Sequence, residues 1–379
     1  MNKRIWLSSP HMSGKEMKYI QQAFETNWIA PLGPNVNEFE ITLQNYLGEN
    51  NFVAALNSGT AAVHLGLILA GISQGDEVLC QSFTFSASAN PILYQGATPI
   101  FVDSEADTWN ICPKTLEEAI IDRIAKGKKP KAIIVVDSYG MPAKWDEIAA
   151  IAKKYSLFLI EDAASALGST YKNQKCGTFG DIGVLSFNGN KIITTSGGGA
   201  LVAKTREIKD KAVFFATQSR DSAPHYQHSE IGYNYRMSNI VAGIGRGQME
   251  VLDKHITLRR AMHNFYVNYF KDIKGVTVFT EPNTDYFSNH WLSAILVNLE
   301  QTGGKTCEGL RLALDAANIE SRPLWKPMHL QPIFAKYPYY GGTISESLFK
   351  NGLCLPSGSN LTDEGRDRIN FALDNFFSE

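Results

Sequence analysis

The sequence lacks the features that mark several large classes of protein. Its formal net charge is only -2 and its basic residues are scattered, so it offers no electrostatic footprint for nucleic acid or an anionic membrane. No stretch approaches the roughly 20 apolar residues of a membrane-spanning helix. The opening residues, MNKRIWLSSPHMSGKEMKYI, lack the apolar core of a signal peptide. We therefore expect a cytoplasmic protein that binds neither nucleic acid nor membrane.

Cysteine is scarce as well, and no pattern of metal ligands stands out. The five cysteines are odd in number and widely separated, at Cys80, Cys112, Cys176, Cys307 and Cys354. This spacing favours reduced thiols over disulfides or a zinc cluster. His225 and His228 have an HxxH spacing, but no carboxylate pattern accompanies them, so we expect no metal site.

The length and the apolar pattern predict an α/β fold in two units. With 379 residues, 44% of them hydrophobic, the chain exceeds what one core usually supports. From about residue 50, apolar runs typical of strands alternate with amphipathic runs typical of helices, which predicts a mainly parallel sheet covered on both faces. After residue 240 a long helical run leads into strand-like VTVFT and WLSAILVNL. We predict a large α/β domain over 1–250 and a small α+β domain over 251–379.

Lys191 is the first candidate for chemistry. It lies between the apolar runs LSF and ALVA, which should bury it in part. Burial disfavours the charged form of lysine, and the neutral amine is then a nucleophile toward an aldehyde. Ser186 could bond a phosphate, and the glycines at 197–199 leave room for a bound ring. Taken alone, the segment fits a surface lysine in a β-hairpin equally well.

Two strand ends carry polar residues where ligands of parallel sheets usually bind. Ser58-Gly59-Thr60 stands at a strand-to-helix junction, where free N–H groups and the helix dipole attract phosphate, although Ser58 could be a plain N-cap. Asp162 ends the apolar run LFLIED and suits a protonated ring nitrogen; its alternative is also a helix cap. Phe85, in SFTFSASAN, could stack on such a ring or belong to the core.

Five segments follow one another along the chain: SGTAA, SFTF, IEDAASALG, SFNGNK and SGGG. Together they resemble the sugar-nucleotide aminotransferases of the DegT/StrS-like family, a branch of the fold type I pyridoxal-phosphate (PLP) enzymes. The resemblance runs essentially end to end. It implies an aspartate-aminotransferase-like fold with a mostly parallel sheet of the seven-stranded type. It also implies that Lys191 and Asp162 are catalytic and that Ser186, Gly59 and Thr60 hold the phosphate of PLP.

One position departs from the family pattern. Many members carry Gln, His or Glu three residues after the aspartate, close to the ring hydroxyl of PLP, where this chain has Ser165. With its shorter side chain, Ser165 departs from what the resemblance implies; we name it and the stacking candidate Phe85 as the remaining cofactor candidates within one chain.

Further segments are similar to the subgroup that installs the 4-amino group of UDP-N-acetylbacillosamine-type sugars: Asn27-WIAPLG, Thr217-QSRDSAPHYQHSEIGYNYRMSN, Ser321-RPLWKPMH and Leu355-PSGS. This similarity assigns the substrate site to Asn27, Trp28, Ile29, Ala30, Ser58, Asn190, Arg322, Pro323, Leu324, Trp325, Lys326 and His329. Arg322 and Lys326 can neutralise a diphosphate. Asn234 would reach the PLP phosphate of a neighbouring subunit, which implies a homodimer with shared active sites.

The resemblance therefore predicts an aminotransferase of surface glycan biosynthesis. L-glutamate would donate the amino group, leaving 2-oxoglutarate, and a UDP-linked 2-acetamido-4-keto-6-deoxy sugar would receive it. Amination at C3, a dTDP- or GDP-linked sugar, and a non-catalytic protein that binds PLP or a sugar nucleotide stay open. A related dehydratase is disfavoured because that branch typically replaces the lysine with histidine. An NAD-dependent enzyme is disfavoured because no GxGxxG follows the first strand.

Overall fold

The structure is a computed structural model that describes residues 3–378. Twelve α-helices lie in this part of the chain: α1 (Glu16–Glu25), α2 (Pro34–Leu47), α3 (Gly59–Leu69), α4 (Ser86–Tyr94), α5 (Pro113–Ala125), α6 (Trp145–Tyr155), α7 (Arg206–Ala216), α8 (Asn239–Met249), α9 (Leu252–Phe270), α10 (Cys307–Ala316), α11 (Ile344–Asn351) and α12 (Asp363–Ser378). Within the described range, no helix is long and apolar enough to cross a membrane. All five cysteines are free thiols.

The strands of the same range form three sheets. They are β1 (Phe52–Leu56), β2 (Glu77–Gln81), β3 (Thr98–Val102), β4 (Ala132–Val136), β5 (Phe158–Asp162), β6 (Thr170–Tyr171), β7 (Gln174–Lys175), β8 (Ile182–Ser186), β9 (Gly199–Ala203), β10 (Val276–Val278), β11 (Tyr286–Phe287), β12 (Ser293–Val297), β13 (Arg322–Pro323), β14 (Tyr339–Tyr340) and β15 (Gly352–Leu355).

The largest sheet has the strand order β1-β9-β8-β5-β4-β2-β3-β14. β9 runs antiparallel to both of its neighbours, and the other adjacent strands are parallel. The predicted α/β fold with a mainly parallel sheet is confirmed. Seven strands come from residues 52–203, and the eighth, β14, is a two-residue strand that the C-terminal part adds at the edge beside β3.

The apolar runs of the sequence form the central strands of this sheet. Their side chains are buried because helices cover both faces. Every residue of β2 (EVLCQ) and of β4 (AIIVV) is buried, as expected for strands without a solvent-facing side. Separate apolar clusters lie on the two faces, one including Leu65 of α3 and the other Trp145 and Ile148 of α6. The carboxyl ends of β4, β5 and β8 consequently open at one edge, beside the first turn of α3.

The C-terminal part contains an antiparallel sheet of order β10-β12-β15-β13. Its apolar core includes Tyr266 of α9, Ile295 of β12 and Leu373 of α12. Ile5, from the opposite end of the chain, packs in the same core and pairs with Ile319. The division at residue 250 stays a prediction, and residues near the N-terminus also contribute to the C-terminal core.

The predicted long helix after residue 240 is wrong in one respect, because it is broken into α8 and α9. The break falls at Glu250 and Val251, where Val251 leaves the helical conformation. α8 carries glycines that allow close contact with α1 and α2: a Cβ at Gly247 would lie 2.8 Å from the backbone nitrogen of Glu16. α9 then carries the chain into the C-terminal part.

The approach of β9 to the loop before α3 leaves no room for a side chain at Gly199. A Cβ atom there would overlap the backbone of Ser58 and Gly59. We predict that Gly199→Ala displaces this loop and weakens binding of the PLP that the sequence leads us to expect, which fluorescence titration of cofactor-free protein would measure. Gly189→Ala is the matched control, because a Cβ at Gly189 meets nothing within 4 Å. Equal PLP affinity in both variants would contradict this packing argument.

Candidate active site

A cavity of about 340 Å³ opens where the carboxyl ends of β4, β5 and β8 meet α3. It collects residues from distant parts of the sequence. The predicted residues that line it are Ser58, Gly59, Thr60, Phe85, Asp162, Ser165, Ser186, Asn190, Lys191 and Trp325. Five segments that are far apart in the chain thus converge on one enclosed space, and it combines an amine, a carboxylate and several hydroxyl groups.

Lys191 projects its amine into this cavity. Its Nζ donates a hydrogen bond to Ser165 Oγ at 3.2 Å and lies 4.1 Å from the ring centre of Trp291. Burial lowers the pKa of the Lys191 amine to about 8, and the nearby Asp162 carboxylate opposes this shift. At mildly alkaline pH a large fraction of the amine is therefore neutral, which is the form that attacks an aldehyde.

Asp162 ends β5 and is also buried. Its Oδ2 accepts a hydrogen bond from Ser88 Oγ at 2.6 Å, and its Oδ1 accepts one from the backbone N–H of Ala164 at 3.1 Å. Burial raises the pKa of Asp162, while the two hydrogen bonds and Lys191 oppose the rise. A cation placed in the cavity would favour the carboxylate further. A protonated ring nitrogen is such a cation.

The start of α3 forms the polar end of the cavity. Ser58 Oγ accepts a hydrogen bond from the backbone N–H of Ala61 at 3.0 Å, so Ser58 is the helix N-cap as well as a cavity residue. The N–H groups of Gly59 and Thr60 precede the first intrahelical bond and carry the positive end of the helix dipole. Ser186 is close, because a Cβ at Gly59 would lie 3.1 Å from the Cβ of Ser186. These groups suit a phosphate.

A second cavity of about 420 Å³ adjoins the first. Phe85, Asn190, Trp291 and Trp325 line both cavities. The second one also contains Arg322, Pro323 and Glu320 of the C-terminal part and Ser8 of the N-terminal segment. Arg322 donates to Glu320 Oε1 from Nε at 2.9 Å and from Nη2 at 2.8 Å, so its guanidinium is already paired.

Several predicted substrate residues lie away from both cavities. Leu324 is 1% exposed, belongs to an apolar cluster of the C-terminal part, and lines neither cavity of the single chain. His329 is held by Ser82 and stacks on Tyr339 at 3.7 Å. Lys326 is exposed and also lies outside both cavities.

A surface segment holds the predicted residues Asn27, Trp28, Ile29 and Ala30. The side chain and backbone N–H of Asn239 donate to the carbonyls of Trp28 and Ala30, which attaches this segment to α8. The side chains of Trp28 and Ile29 remain 41% and 45% exposed. Asn234 is exposed too, and its carbonyl accepts a hydrogen bond from Asn57 Nδ2 at 3.2 Å. None of these residues lines either cavity of the single chain.

Similarity to known proteins shows the family of this chain. The model of the DegT/DnrJ/EryC1/StrS aminotransferase family matches residues 10–374. The chain belongs to this family. Its fold type I architecture, its PLP cofactor and its aminotransferase activity, all expected from the sequence, are thereby confirmed.

Individual relatives agree with this assignment. The chain is 50% identical over 373 residues to EpsN of Bacillus subtilis (strain 168), which is named as a pyridoxal phosphate-dependent aminotransferase; the match covers 97% of this chain and 95% of EpsN. It is 37% identical over 380 residues to the GDP-perosamine synthase of Escherichia coli O157:H7, covering 100% of both. A crystal structure of a DegT DnrJ EryC1 StrS aminotransferase from Brucella abortus has a TM-score of 0.88 at 32% identity, covering 97% and 96%.

The first cavity suits PLP chemically. Lys191 supplies an amine for the aldehyde, Asp162 a carboxylate for the ring nitrogen, and the first turn of α3 with Ser186 a cradle for the phosphate. Phe85, whose side chain is 60% exposed, offers an aromatic face to the ring. Gly197 and Gly198 line the same space, as expected, whereas Gly199 lies against the loop before α3.

Sequence reasoning missed two residues that shape this DegT-family site. Ser88 bonds the catalytic candidate Asp162 and also Thr84 Oγ1 at 2.8 Å. Trp291 covers the amine of Lys191 from a loop of the C-terminal part. The spacing of Phe85 and Ser88 in one helical turn was a signal for the serine. A tryptophan one hundred residues away from the lysine gave no comparable signal.

Behind Asp162, Glu161 points to the other side of β5 and lies beside Asp137. Glu161 accepts hydrogen bonds from the backbone N–H groups of Gly177, Phe179 and Gly180. Asp137 Oδ1 accepts from Ala143 N and Trp145 Nε1, while its Oδ2 has no hydrogen-bond donor among the described residues. Burial raises the pKa of both carboxyl groups, and their mutual repulsion raises that of Asp137 further. A single proton shared between the two carboxyl groups relieves their mutual repulsion.

This pair predicts a pH-dependent stability. Because the folded-state pKa is raised, the folded protein retains a proton that the unfolded chain loses above about pH 4. The free energy of unfolding should therefore fall as pH rises, by up to about 1.4 kcal/mol per pH unit. Asp137→Asn keeps the acceptor for Ala143 and donates an amide N–H to Glu161, so we expect a flatter profile in urea titrations. Glu118→Gln, on the exposed side of α5, is the control. An unchanged slope in Asp137→Asn would contradict the shared proton.

Proposed function

We propose that this DegT-family aminotransferase moves an amino group from L-glutamate to the C4 keto carbon of a UDP-linked 2-acetamido-4-keto-6-deoxy sugar, in surface glycan biosynthesis. The observation that carries the proposal is the pair of adjoining cavities. The reactive amine of Lys191 lies in one, Arg322 lies in the other, and Asn190 and Trp325 belong to both. A sugar nucleotide is an extended ligand with a reacting end and an anionic end, and it would occupy both spaces.

Lys191 is the proton carrier of the proposed reaction. Bound PLP supplies an electron sink for the carbon from which the proton leaves. The neutral Lys191 amine takes that proton as a base and returns it as an acid, and a pKa near 8 suits both directions at neutral pH. Ser165, 3.2 Å from Nζ, and the face of Trp291 hold the amine in place. Asp162 would pair with the protonated ring nitrogen of the cofactor, and Ser88 fixes the Asp162 carboxylate.

The nucleotide end of the substrate would extend into the second cavity. Trp325 presents an aromatic face there, and Arg322 can form paired hydrogen bonds with a diphosphate. Glu320 currently accepts from Arg322 and from the backbone N–H of Leu7 at 3.0 Å. The Arg322 side chain is 68% exposed and bonds Glu320 through Nε and Nη2 only, so its remaining N–H groups would be available to the diphosphate.

A second copy of the chain would complete the site. Asn234 and the segment around Trp28 and Ile29 are exposed in the single chain, and Ile231 is 82% exposed. An exposed apolar patch is a mark of a protein–protein interface, and Trp28, Ile29 and Ile231 are the side chains that would contribute to one. We propose that they meet the active site of the partner in a homodimer and that Asn234 contacts the PLP phosphate there. A monomeric PLP-loaded protein in analytical ultracentrifugation would contradict this part of the proposal.

A GDP-linked keto sugar is the competing substrate. The full-length relative of Escherichia coli O157:H7 is named GDP-perosamine synthase, and its 37% identity extends over all of this chain. The amine, the carboxylate and the phosphate cradle serve either nucleotide equally. The choice therefore depends on the second cavity and on the partner subunit.

The direct test supplies PLP, L-glutamate and either the UDP-linked or the GDP-linked 4-keto-6-deoxy sugar, and follows the sugar nucleotide by mass spectrometry and NMR. We expect the UDP-linked 4-amino sugar to form. Product from the GDP-linked sugar alone would replace the substrate and leave the aminotransferase reaction in place. No product from either sugar, with glutamate nonetheless converting bound PLP to pyridoxamine phosphate, would exclude both substrates.

Lys191→Ala is the matched variant for this assay. Loss of the nucleophile and proton carrier should reduce turnover by at least about 10³-fold. Asp162→Asn should retain PLP and still lower the rate, because the amide cannot pair with a protonated ring nitrogen. Lys172→Ala and Asp146→Asn remove an exposed ion pair outside the site and serve as controls. Normal turnover in Lys191→Ala would overturn the assignment.

A further inference from the structure

Arg259, on α9, is a buried cation that has no acidic partner among the residues that the structure describes. The residue is 1% exposed, and within residues 3–378 its guanidinium forms no ion pair. Burying an unpaired charge costs several kcal/mol unless polar groups compensate for the lost water. The groups that Arg259 contacts are therefore the place to look for its role.

The guanidinium of Arg259 connects four separate segments of the chain. Nη1 donates to the carbonyl of Trp291 at 2.6 Å and to that of Ser357 at 3.3 Å. Nη2 donates to Ser8 Oγ at 2.9 Å and to the carbonyl of Lys191 at 3.4 Å. One side chain thus joins the N-terminal segment, the lysine loop and two segments of the C-terminal part.

Two of these partners continue the contact to the residue before the lysine. Ser8 Oγ donates to the carbonyl of Asn190 at 2.7 Å, and Trp291 Nε1 donates to the same carbonyl at 2.6 Å. The carbonyls of both Asn190 and Lys191 are consequently held by Arg259 or by residues that Arg259 holds. The face of Trp291 then lies over the Lys191 amine at 4.1 Å.

We propose that Arg259 is a positioning residue, which locks the main chain at Lys191 and the ring of Trp291 so that the amine is held at one place in the cavity. Only the expected effect on turnover rests on the proposed function. The locking itself concerns the chain without cofactor or substrate, so it can be tested separately.

Among the charged and titratable groups around this network, Arg259 is the cation at its centre; burial lowers its pKa to about 9, so it is charged at neutral pH. His255 and His263 lie one helical turn to either side and stack on His11 and His290. Burial lowers the pKa of His255 to about 4 and that of His263 to about 3, so both are neutral at ordinary pH. Asp162 is the carboxylate that faces the Lys191 amine. Glu281 and Arg260 pair with each other at 2.6 Å, and Lys254 is a further cation close to His255 and His11.

The positioning role of Arg259 predicts a specific change in the pKa of Lys191. If the main chain and Trp291 are released, the amine can leave the enclosed position and become hydrated. Hydration favours the charged form, so the pKa of Lys191 should rise from about 8 toward the value of an exposed lysine. A residue that serves stability alone would leave this pKa unchanged in the folded protein.

The test measures the rate at which an acylating reagent labels Lys191 in cofactor-free protein as a function of pH, read by peptide mass spectrometry. Arg259→Met removes the guanidinium but keeps an apolar stem, a type of replacement that buried charges often tolerate. Ser8→Ala removes the bond from Arg259 Nη2 and the bond to the carbonyl of Asn190 but keeps the guanidinium, so it acts as the milder variant. Tyr266→Phe is the matched control, since it deletes a buried hydrogen bond from the same helix to the carbonyl of Pro356 at 2.8 Å.

We expect the labelling midpoint to rise by about one pH unit in Arg259→Met and by less in Ser8→Ala, with no change in Tyr266→Phe. In the loaded enzyme Arg259→Met should lower kcat by about 10²-fold with little change in KM, the effect of a misplaced reacting group. If Arg259→Met does not fold, the midpoint of Ser8→Ala decides. Wild-type midpoints in the folded variants, or an equal rise in Tyr266→Phe, would overturn the proposal. If the sugar reaction fails, the labelling midpoints of Lys191 still test the positioning role of Arg259.

Discussion

The enclosure of one amine, that of Lys191, is the constraint on which the rest of this site depends. The amine has to be dry enough to lose its proton near neutral pH, yet close enough to a carboxylate to retain a defined position. Burial provides the first condition and Asp162 the second. Both conditions require a parallel sheet whose strand ends form one side of the cavity, its floor. They also require the C-terminal part of the chain, which closes the opposite side as a cover. Trp291 and Trp325 supply that cover.

Much of the floor of the site could be predicted from the sequence, because its residues belong to recognisable local sequence patterns. Asp162 ends an apolar run, Gly59 and Thr60 begin a helix after one, and Lys191 lies between two others. Such residues lie at strand ends by topology, and parallel strands place their carboxyl ends together. The resemblance to the DegT family then joined these separate signals, and the family match confirmed the fold and the cofactor.

The cover could not be predicted in the same way, since it depends on contacts between segments far apart in the chain. Trp291 and Arg259 reach Lys191 from the C-terminal part, and Ser8 from the opposite end. Leu324 shows the converse: it lies between two cavity residues in a segment of the expected substrate site, yet its side chain turns into the apolar core. The break between α8 and α9 falls at Glu250 and Val251, and no periodicity in the sequence reveals it.

The placement of a cofactor bond on Lys191 is the central claim, and it can be measured without knowing the sugar. Protein loaded with PLP would be reduced with borohydride, digested, and analysed by peptide mass spectrometry. We predict that the reduced cofactor is found on Lys191, in the peptide that contains SFNGNK, with none on Lys175 or Lys204. Recovery of the label on another lysine, or no label in protein that retains PLP, would contradict the account.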